Sequence, residues 1–400
     1  MFSVSEAQAA VLASARPFGP ENRPIQKALG LTLAQTLAAD RPLPPFNRVT
    51  MDGYALQAAD LLEPGELHLI GQLAAGVRPE QAVEPGTCIQ VMTGAPLPEG
   101  ADAVIPVEDT EAQGEMIRFK RAAQPAENWV PKGSEAEAGA EFFKPGRPVT
   151  PSLVAYLASI GKAEVDVFSP PKLVVISTGT ELVPTEASPE FYQIRDCNSP
   201  AVLAQAAQLG LPVSSLGIAP DEEEALKSQV RRGLQGADIL ILSGGVSMGE
   251  FDLVPKILKE SGIEEVFHKV RLKPGKPIWF GRGHGKWVFG LPGNPVSVQV
   301  CFKLFVEPLA MALSGRPDPL PPVIRLPLLK AAKKRNQREQ YTSARLVQQD
   351  GQTWVEEVQI GGSGDFSGLA FSEGLFKFDA DLSELAAGTL VDFIYWRRPQ

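Results

Sequence analysis

Between residues 171 and 315 the chain switches repeatedly between short apolar runs and amphipathic stretches, and this alternation restricts the fold more than any other feature. KLVVIST, SPAVLAQAAQLG, PVSSLGI, DEEEALKSQVRRGLQG, ADILILS and LVPKILKESG follow one another, then EEVFHKV, PIWFG, KWVFGL and PVSVQVCFKLFVEPLAMAL. Runs such as ILIL, ended by Gly-Gly, read as strands buried on both faces, and that demands helices on both sides of a mostly parallel sheet. The expected fold is therefore a doubly wound α/β domain. SPPK at 169–172 and RPDPLPPV at 316–323 are its linkers. Ser199 ahead of Pro200 reads as a helix cap and first helical position, and Asp221, three residues before Glu224, as a capping box.

In open α/β sheets a ligand lies at the carboxyl ends of the strands. Here those ends carry STGTE (177–181), APD (219–221), SGGVSMGEFD (243–252), RLKPGKP (271–277) and GLPGNPVS (290–297), so one rim collects nearly all the hydroxyls, carboxylates and lysines of the domain. The glycines after ILILS let backbone N–H groups approach an anion closely. Glu250 and Asp252 would repel that anion unless a hard cation lies between, whereas a tight turn with Asp252 capping the next helix explains the same letters. Asp221 has the same two readings. Lys273 and Lys276, on a loop stiffened by Pro274 and Pro277 and preceded by Arg271, are either a cationic anchor or a solvated basic turn. The Gly-Asn-Pro corner before a helix is either an anion site or a turn and cap.

The flanking segments read differently. Residues 1–46 and 139–170 hold amphipathic helical stretches (SVSEAQAAVLASA, IQKALGLTLAQTLAA, TPSLVAYLASIG) and are expected to form an elongated helical linking lobe. It is interrupted by an inserted β domain over 47–138, where Asp52 sits in an Asp-Gly turn. A C-terminal β domain over 316–400 carries an Asp-Gly hairpin signal in QQDG. The net charge of −9 argues against nonspecific nucleic-acid binding. No basic leader precedes an apolar core and no stretch reaches the ~18 apolar residues of a membrane span, so a cytoplasmic location is expected. Cys88, Cys197, Cys301 and three histidines offer neither zinc spacing nor a nucleophile and base. Each cysteine reads as a small buried hydrophobe. What remains is an inventory suited to a phosphorylated ligand handled with metal assistance.

PPFNRVTMDGYAL, VMTGAPLPEGADAVIPVED, STGTELV, DCNSP, SGGVSMGEFD, LKPGKP and GLPGNPVS, in that order, resemble the molybdopterin molybdenumtransferase family, the MoeA and gephyrin E-domain group. The resemblance spans nearly the whole chain. It implies four domains per subunit, a homodimer, and Mg2+-dependent insertion of molybdate into adenylylated molybdopterin with release of AMP. It also implies transient contact with a molybdopterin adenylyltransferase or a molybdoenzyme. Carried over by position, Asp52, Glu135 and Glu181 are the catalytic-region acids, and Asp221, Asp252 and Glu181 the metal ligands. Ligand contacts fall at Thr93, Ser177, Thr178, Gly179, Ser243, Gly244, Gly245 and Ser247, at Lys273, Gly275 and Lys276, and at Pro292, Gly293, Asn294 and Ser297. Arg338 in QREQ and Ser363 in GGSGDF are similar to polar residues that reach the partner subunit's cleft. The chain departs from the family in NWVPKGSEAEAG, where Glu135 stands in place of an Asp and Pro131 in place of an Arg. That departure gives an alternative expectation, a catalytically weak paralogue acting as a molybdopterin-binding or protein-binding scaffold. A metal-dependent enzyme acting on a phosphosugar or nucleotide is a third, and molybdate against tungstate stays open.

Overall fold

The structure, a computed structural model, describes residues 1–245, 253–359, 361–362, 364–365 and 367–398. They form two compact units, one of residues 1–35, 145–155 and 163–400, the other of residues 36–144 and 156–162.

In the first unit a six-stranded sheet has the order Val213–Ala219, Leu173–Thr178, Ile239–Ser243, Lys286–Leu291, Trp279–Gly283, Glu264–His268. The first four run parallel, and the last two form an antiparallel edge. Strand alternation divides the core. Leu173, Val175, Ile239 and Ile241 pack with Val202, Ala206 and the helix 295–313, while Val174, Ile176, Leu240 and Leu242 pack with Leu226, Val230, Ile257 and Leu258. Both faces are covered by helices, so both sets of alternating side chains must be apolar.

Two helix caps differ from the sequence reading. Helix Asn198–Gln208 starts before Ser199, because the Asp196 carboxylate accepts from the backbone N–H groups of Asn198 (3.0 Å) and Ser199 (3.1 Å). Helix Glu223–Gly236 follows Glu222, with no side-chain cap, so Asp221 is not a cap. The reading of Asp252 as a cap lies outside the described residues.

Pro295–Leu313 is long and apolar enough to cross a membrane, with mean hydropathy 1.6, contrary to the sequence expectation. Most of it, 89%, is buried, as befits a core helix. It carries a π-helical turn, Phe302–Val306, and a buried ion pair, Lys303 Nζ to Glu307 Oε2 at 2.9 Å. Arg398 meets the other Glu307 oxygen at 3.3 Å, and Lys303 also donates to the Trp396 carbonyl at 3.0 Å. Burial holds the Lys303 ammonium below its ordinary pKa although Glu307 opposes the shift.

The helical reading of the flanks holds in part. Val4–Ala13 is a helix with a Ser3–Glu6 capping box, but it packs on the α/β core through Val4, Ala7 and Val11 rather than in a linking lobe. Pro151–Ser159 is a helix as read. IQKALGLTLAQTLAA is not: a single 3-10 turn, Ile25–Lys27, is followed by extended chain whose backbone bonds to residues 147, 149 and 166. Gly30, at φ +83°, ends any helix there.

The C-terminal strands of this unit form a second sheet, in the order Leu272–Lys273, Glu339–Gln349, Gly374–Phe378, Leu390–Tyr395, Val323–Pro327, with Gln352–Glu357 beside Glu339–Gln349. Asp350 and Gly351, at φ 52° and 75°, form the expected hairpin turn. The second unit holds a six-stranded mixed sheet over Gly53–Phe119 with its own core, including Tyr54, Leu67, Ile105 and Phe119.

Candidate functional site

The rim of the α/β sheet encloses two adjoining cavities. The larger, about 880 Å³, is lined by Thr178, Gly179, Glu181, Asp221, Ser243, Gly244, Gly245, Pro292, Gly293 and Asn294, and also by Asp196, Cys197 and Asn198. The smaller, about 540 Å³, is lined by Lys273, Gly275, Lys276, Ser297, Arg338, Tyr341, Thr342 and Glu357. Pro277, Pro292, Gly293 and Asn294 line both and form the shared wall.

Glycine makes the larger cavity. Gly244 sits at φ +97°, and a Cβ there would meet the Thr178 carbonyl oxygen at 2.5 Å; one on Gly245 (φ +63°) would press on Val254 and the Thr178 hydroxyl. These two positions need glycine for both reasons. Asn198, which the sequence reading had not singled out, pins the floor: its amide donates to Ser243 Oγ (2.9 Å) and to the Gly293 carbonyl (2.7 Å). The only sequence signal for it was its place in DCNSP. Ser177 is fully buried, its hydroxyl 2.7 Å from that of Ser199, and it is not in the cavity lining.

Asp221 reaches across to the STGTE loop, where Thr180 N–H donates to it at 3.3 Å. Its alternative role as a helix cap therefore falls, and its carboxylate joins that of Glu181 in one cavity. Among the described residues no three His, Cys, Asp or Glu side chains group to hold a metal. Two carboxylates are still an adequate protein donor set for Mg2+ when ligand phosphates supply further oxygens. Ser247, Asp252 and Ser363 lie outside the described residues.

The smaller cavity is cationic because the KPGKP loop and the start of the strand Glu339–Gln349 meet there. Leu272–Lys273 pairs in parallel with Glu339 and Gln340, which brings Arg338 beside the KPGKP loop of its own chain. Arg338 donates to the Leu272 carbonyl at 3.1 Å. Gly362 and Gly364, on either side of Ser363, line the smaller and larger cavity respectively. Arg338 thus lines a cavity of its own chain and is tied to the loop that carries the lysines. Gly275, at φ +113°, is required by Cys301, whose sulfur a Cβ would meet at 2.5 Å. Cys301 and Cys88 are buried, as read, and burial raises both thiols. Cys197 is half-buried on the larger cavity's wall.

The second unit carries the remaining acids. Asp52 Oδ1 accepts from Thr93 N–H at 2.6 Å and from the Thr93 hydroxyl at 2.8 Å. These bonds, the backbone one first, hold the exposed carboxyl below its ordinary pKa. Gly53 is not there for a turn: it opens the strand Gly53–Leu56, and a Cβ would collide with the Ile105 carbonyl. Glu135 meets Arg48 at 3.3 Å, both exposed. Pro131 provides no cation, and the guanidinium beside Glu135 comes instead from the FNRVT segment.

Family-level sequence models match three stretches: the MoeA N-terminal region (domain I and II) at residues 2–161, a probable molybdopterin binding domain at 174–312, and the MoeA C-terminal region (domain IV) at 325–396. The molybdopterin molybdenumtransferase of Bacillus subtilis is 33% identical over 355 residues, covering 86% of this chain and 83% of that protein. That of Staphylococcus aureus is 30% identical over 375 residues, covering 92% and 90%. A crystal structure of a molybdopterin biosynthesis MoeA protein from Pyrococcus horikoshii superposes with a TM-score of 0.81 at 30% identity, over 99% of each chain.

Proposed function

The chain belongs to the molybdopterin molybdenumtransferase family, enzymes of molybdenum cofactor biosynthesis, and from that premise we propose that it inserts molybdate into adenylylated molybdopterin with release of AMP in a Mg2+-dependent step. One observation carries the proposal: two cavities of opposite character share the wall 292–294. A large pterin nucleotide and a small oxyanion need such a pair of adjoining sites.

In this reading the larger cavity takes the adenylylated pterin. Its glycine turns at 244 and 245 admit a phosphate close to the backbone, and Glu181 and Asp221 would hold Mg2+ together with phosphate oxygens. That ion would supply charge neutralisation at the phosphate. Asn198 ties the Ser243 and Gly293 ends together, which preorganises this part of the cradle. Lys273, Lys276 and Arg338 take the oxyanion, and Arg338 is oriented by the Leu272 carbonyl. The Thr93 bonds favour the charged form of Asp52, and Arg48 positions Glu135. An arginine beside Glu135 favours an active enzyme over the scaffold alternative, since the cation absent at Pro131 has a local substitute. The homodimer, the cytoplasmic location and the transient contact with an adenylyltransferase or molybdoenzyme belong to the same proposal and are supported by family resemblance.

Two measurements test it together. AMP release from adenylylated molybdopterin should require both molybdate and Mg2+. Changing Lys273 and Lys276 to Gln should weaken molybdate binding at least tenfold, each charge-assisted contact being worth roughly 1.5–3 kcal/mol, with the melting temperature little changed. Molybdate affinity equal to that of the parent would remove the oxyanion assignment.

A further inference from the structure

Glu357 ends the strand Gln352–Glu357 and pairs across the ladder with Ala344. It lines the 540 Å³ cavity with Lys273, Lys276 and Arg338, and also a neighbouring 420 Å³ cavity with Lys330, Arg345 and Glu356. Half-buried, it receives no side-chain hydrogen bond or ion pair from any described residue. A carboxyl partly withdrawn from water and facing the lysines of the smaller cavity, with no partner among the described residues, is placed to exchange a proton with a ligand there. Three of the charged groups around it are otherwise engaged. Lys330 and Arg345 are held by Glu356 at 2.7 and 2.6 Å, and Arg338 by the Leu272 carbonyl. Tyr341 is kept neutral by burial. Lys273 and Lys276 face the same cavity from the opposite loop.

We propose that Glu357 donates the proton that lets an oxygen of molybdate leave as water when the pterin's sulfurs bind the metal. This rests on the assignment of the cationic cavity to the oxyanion. As two thiols of the pterin replace one oxo group, two molybdenum–sulfur bonds form and one molybdenum–oxygen bond breaks. The thiols lose two protons, the departing oxygen gains two, and molybdenum stays hexavalent. One of the two protons passes through Glu357, which gives its own to the oxygen and is reprotonated by a thiol. Oxide is too basic a leaving group to depart without such a donor. A carboxyl desolvated by the cavity wall is raised above its ordinary pKa, and a bound dianion favours its protonated form further. Its raised pKa also fixes the sign: turnover should fall as pH rises through the pKa of Glu357.

The test uses the full-length enzyme with adenylylated molybdopterin, molybdate and Mg2+, in single turnover across pH, beside equilibrium dialysis of molybdate alone. Glu357→Gln should bind molybdate within twofold of the parent, turn over at least tenfold more slowly, and lose the alkaline fall in rate. Glu357→Asp should recover part of the rate and keep a shifted fall. A Gln variant with the parent's rate and pH profile overturns the proposal, as does one that loses only affinity. Should Glu357→Gln not fold, the Asp variant decides: an unshifted profile counts against the donor, a shifted one for it. The Lys273 and Lys276 dialysis result separately tests the cavity assignment, so the two failures are distinguishable.

Discussion

The two units hold their candidate residues by different physical means. On the α/β rim, the loops are fixed by close packing and buried hydrogen bonds: Gly244 against the Thr178 carbonyl, Asn198 between Ser243 and Gly293, and Gly275 against Cys301. In the second unit, Asp52 and Glu135 are exposed and held by single local partners, Thr93 and Arg48. Rim geometry is therefore bound up with folding stability, and the second unit's acids are almost free of it. Substitutions of the packed glycines and buried hydrogen-bonding groups of the first unit should register in the melting curve, and those of the second unit's acids only in turnover.

The buried ion network of the first unit gives the largest expected effect. Glu307→Ala leaves Lys303 and Arg398 without their carboxylate and should cost about 3–5 kcal/mol by chemical denaturation. A cost below 1 kcal/mol would mean that the rim's supporting helix is not held as described. Next is Gly244→Ala, which places a side chain at φ +97° against a carbonyl and should cost roughly 1–3 kcal/mol. Calorimetry would read it, with loss of activity in parallel.

In the second unit, Asp52→Asn keeps an oxygen for both Thr93 donors but removes the charge. It should leave stability within about 0.5 kcal/mol and lower turnover at least tenfold, about 1.4 kcal/mol of barrier. Thr93→Val removes the hydroxyl bond and lets the Asp52 pKa rise. Since a depressed carboxyl pKa gives stability and charge that are lost as pH falls through the folded value, the acid limb of activity should move to higher pH in that variant. The smallest effect is expected for Arg48→Gln: an exposed pair is worth about 0–1 kcal/mol, so only turnover should respond, and a marked loss of stability would erase the contrast between the units.

Much of the rim was legible because its motifs combine a period with punctuation. Apolar runs ended by glycine placed Gly244 and Gly245 at a strand's carboxyl end, and charge on proline-stiffened loops marked Lys273 and Lys276. The helix at 25–39 was misread because helical periodicity in IQKALGLTLAQTLAA says nothing of Gly30 or of strand partners more than a hundred residues away. Glu357 left no signal at all. It sits in the strand TWVEEVQI beside an equally acidic Glu356, and nothing in that string separates the carboxyl bridged by Lys330 and Arg345 from the one that is not.

The sequence by itself determined the alternation of strand and helix, the positions where the backbone must be glycine, and the chemical inventory of each loop, since these follow from local sterics and solvation of short segments. It also carried the family resemblance, through ordered motifs. Only the tertiary structure decided which groups share a cavity: that Asp221 answers Thr180 rather than a helix end, that Arg338 joins the lysines of its own chain through a parallel pairing of residues 272–273 with 339–340, and that Glu357 lies between two cavities with no partner among the described residues. Each of these depends on contacts between residues tens of positions apart in sequence, whose energies come from burial and pairing geometry that no local window encodes.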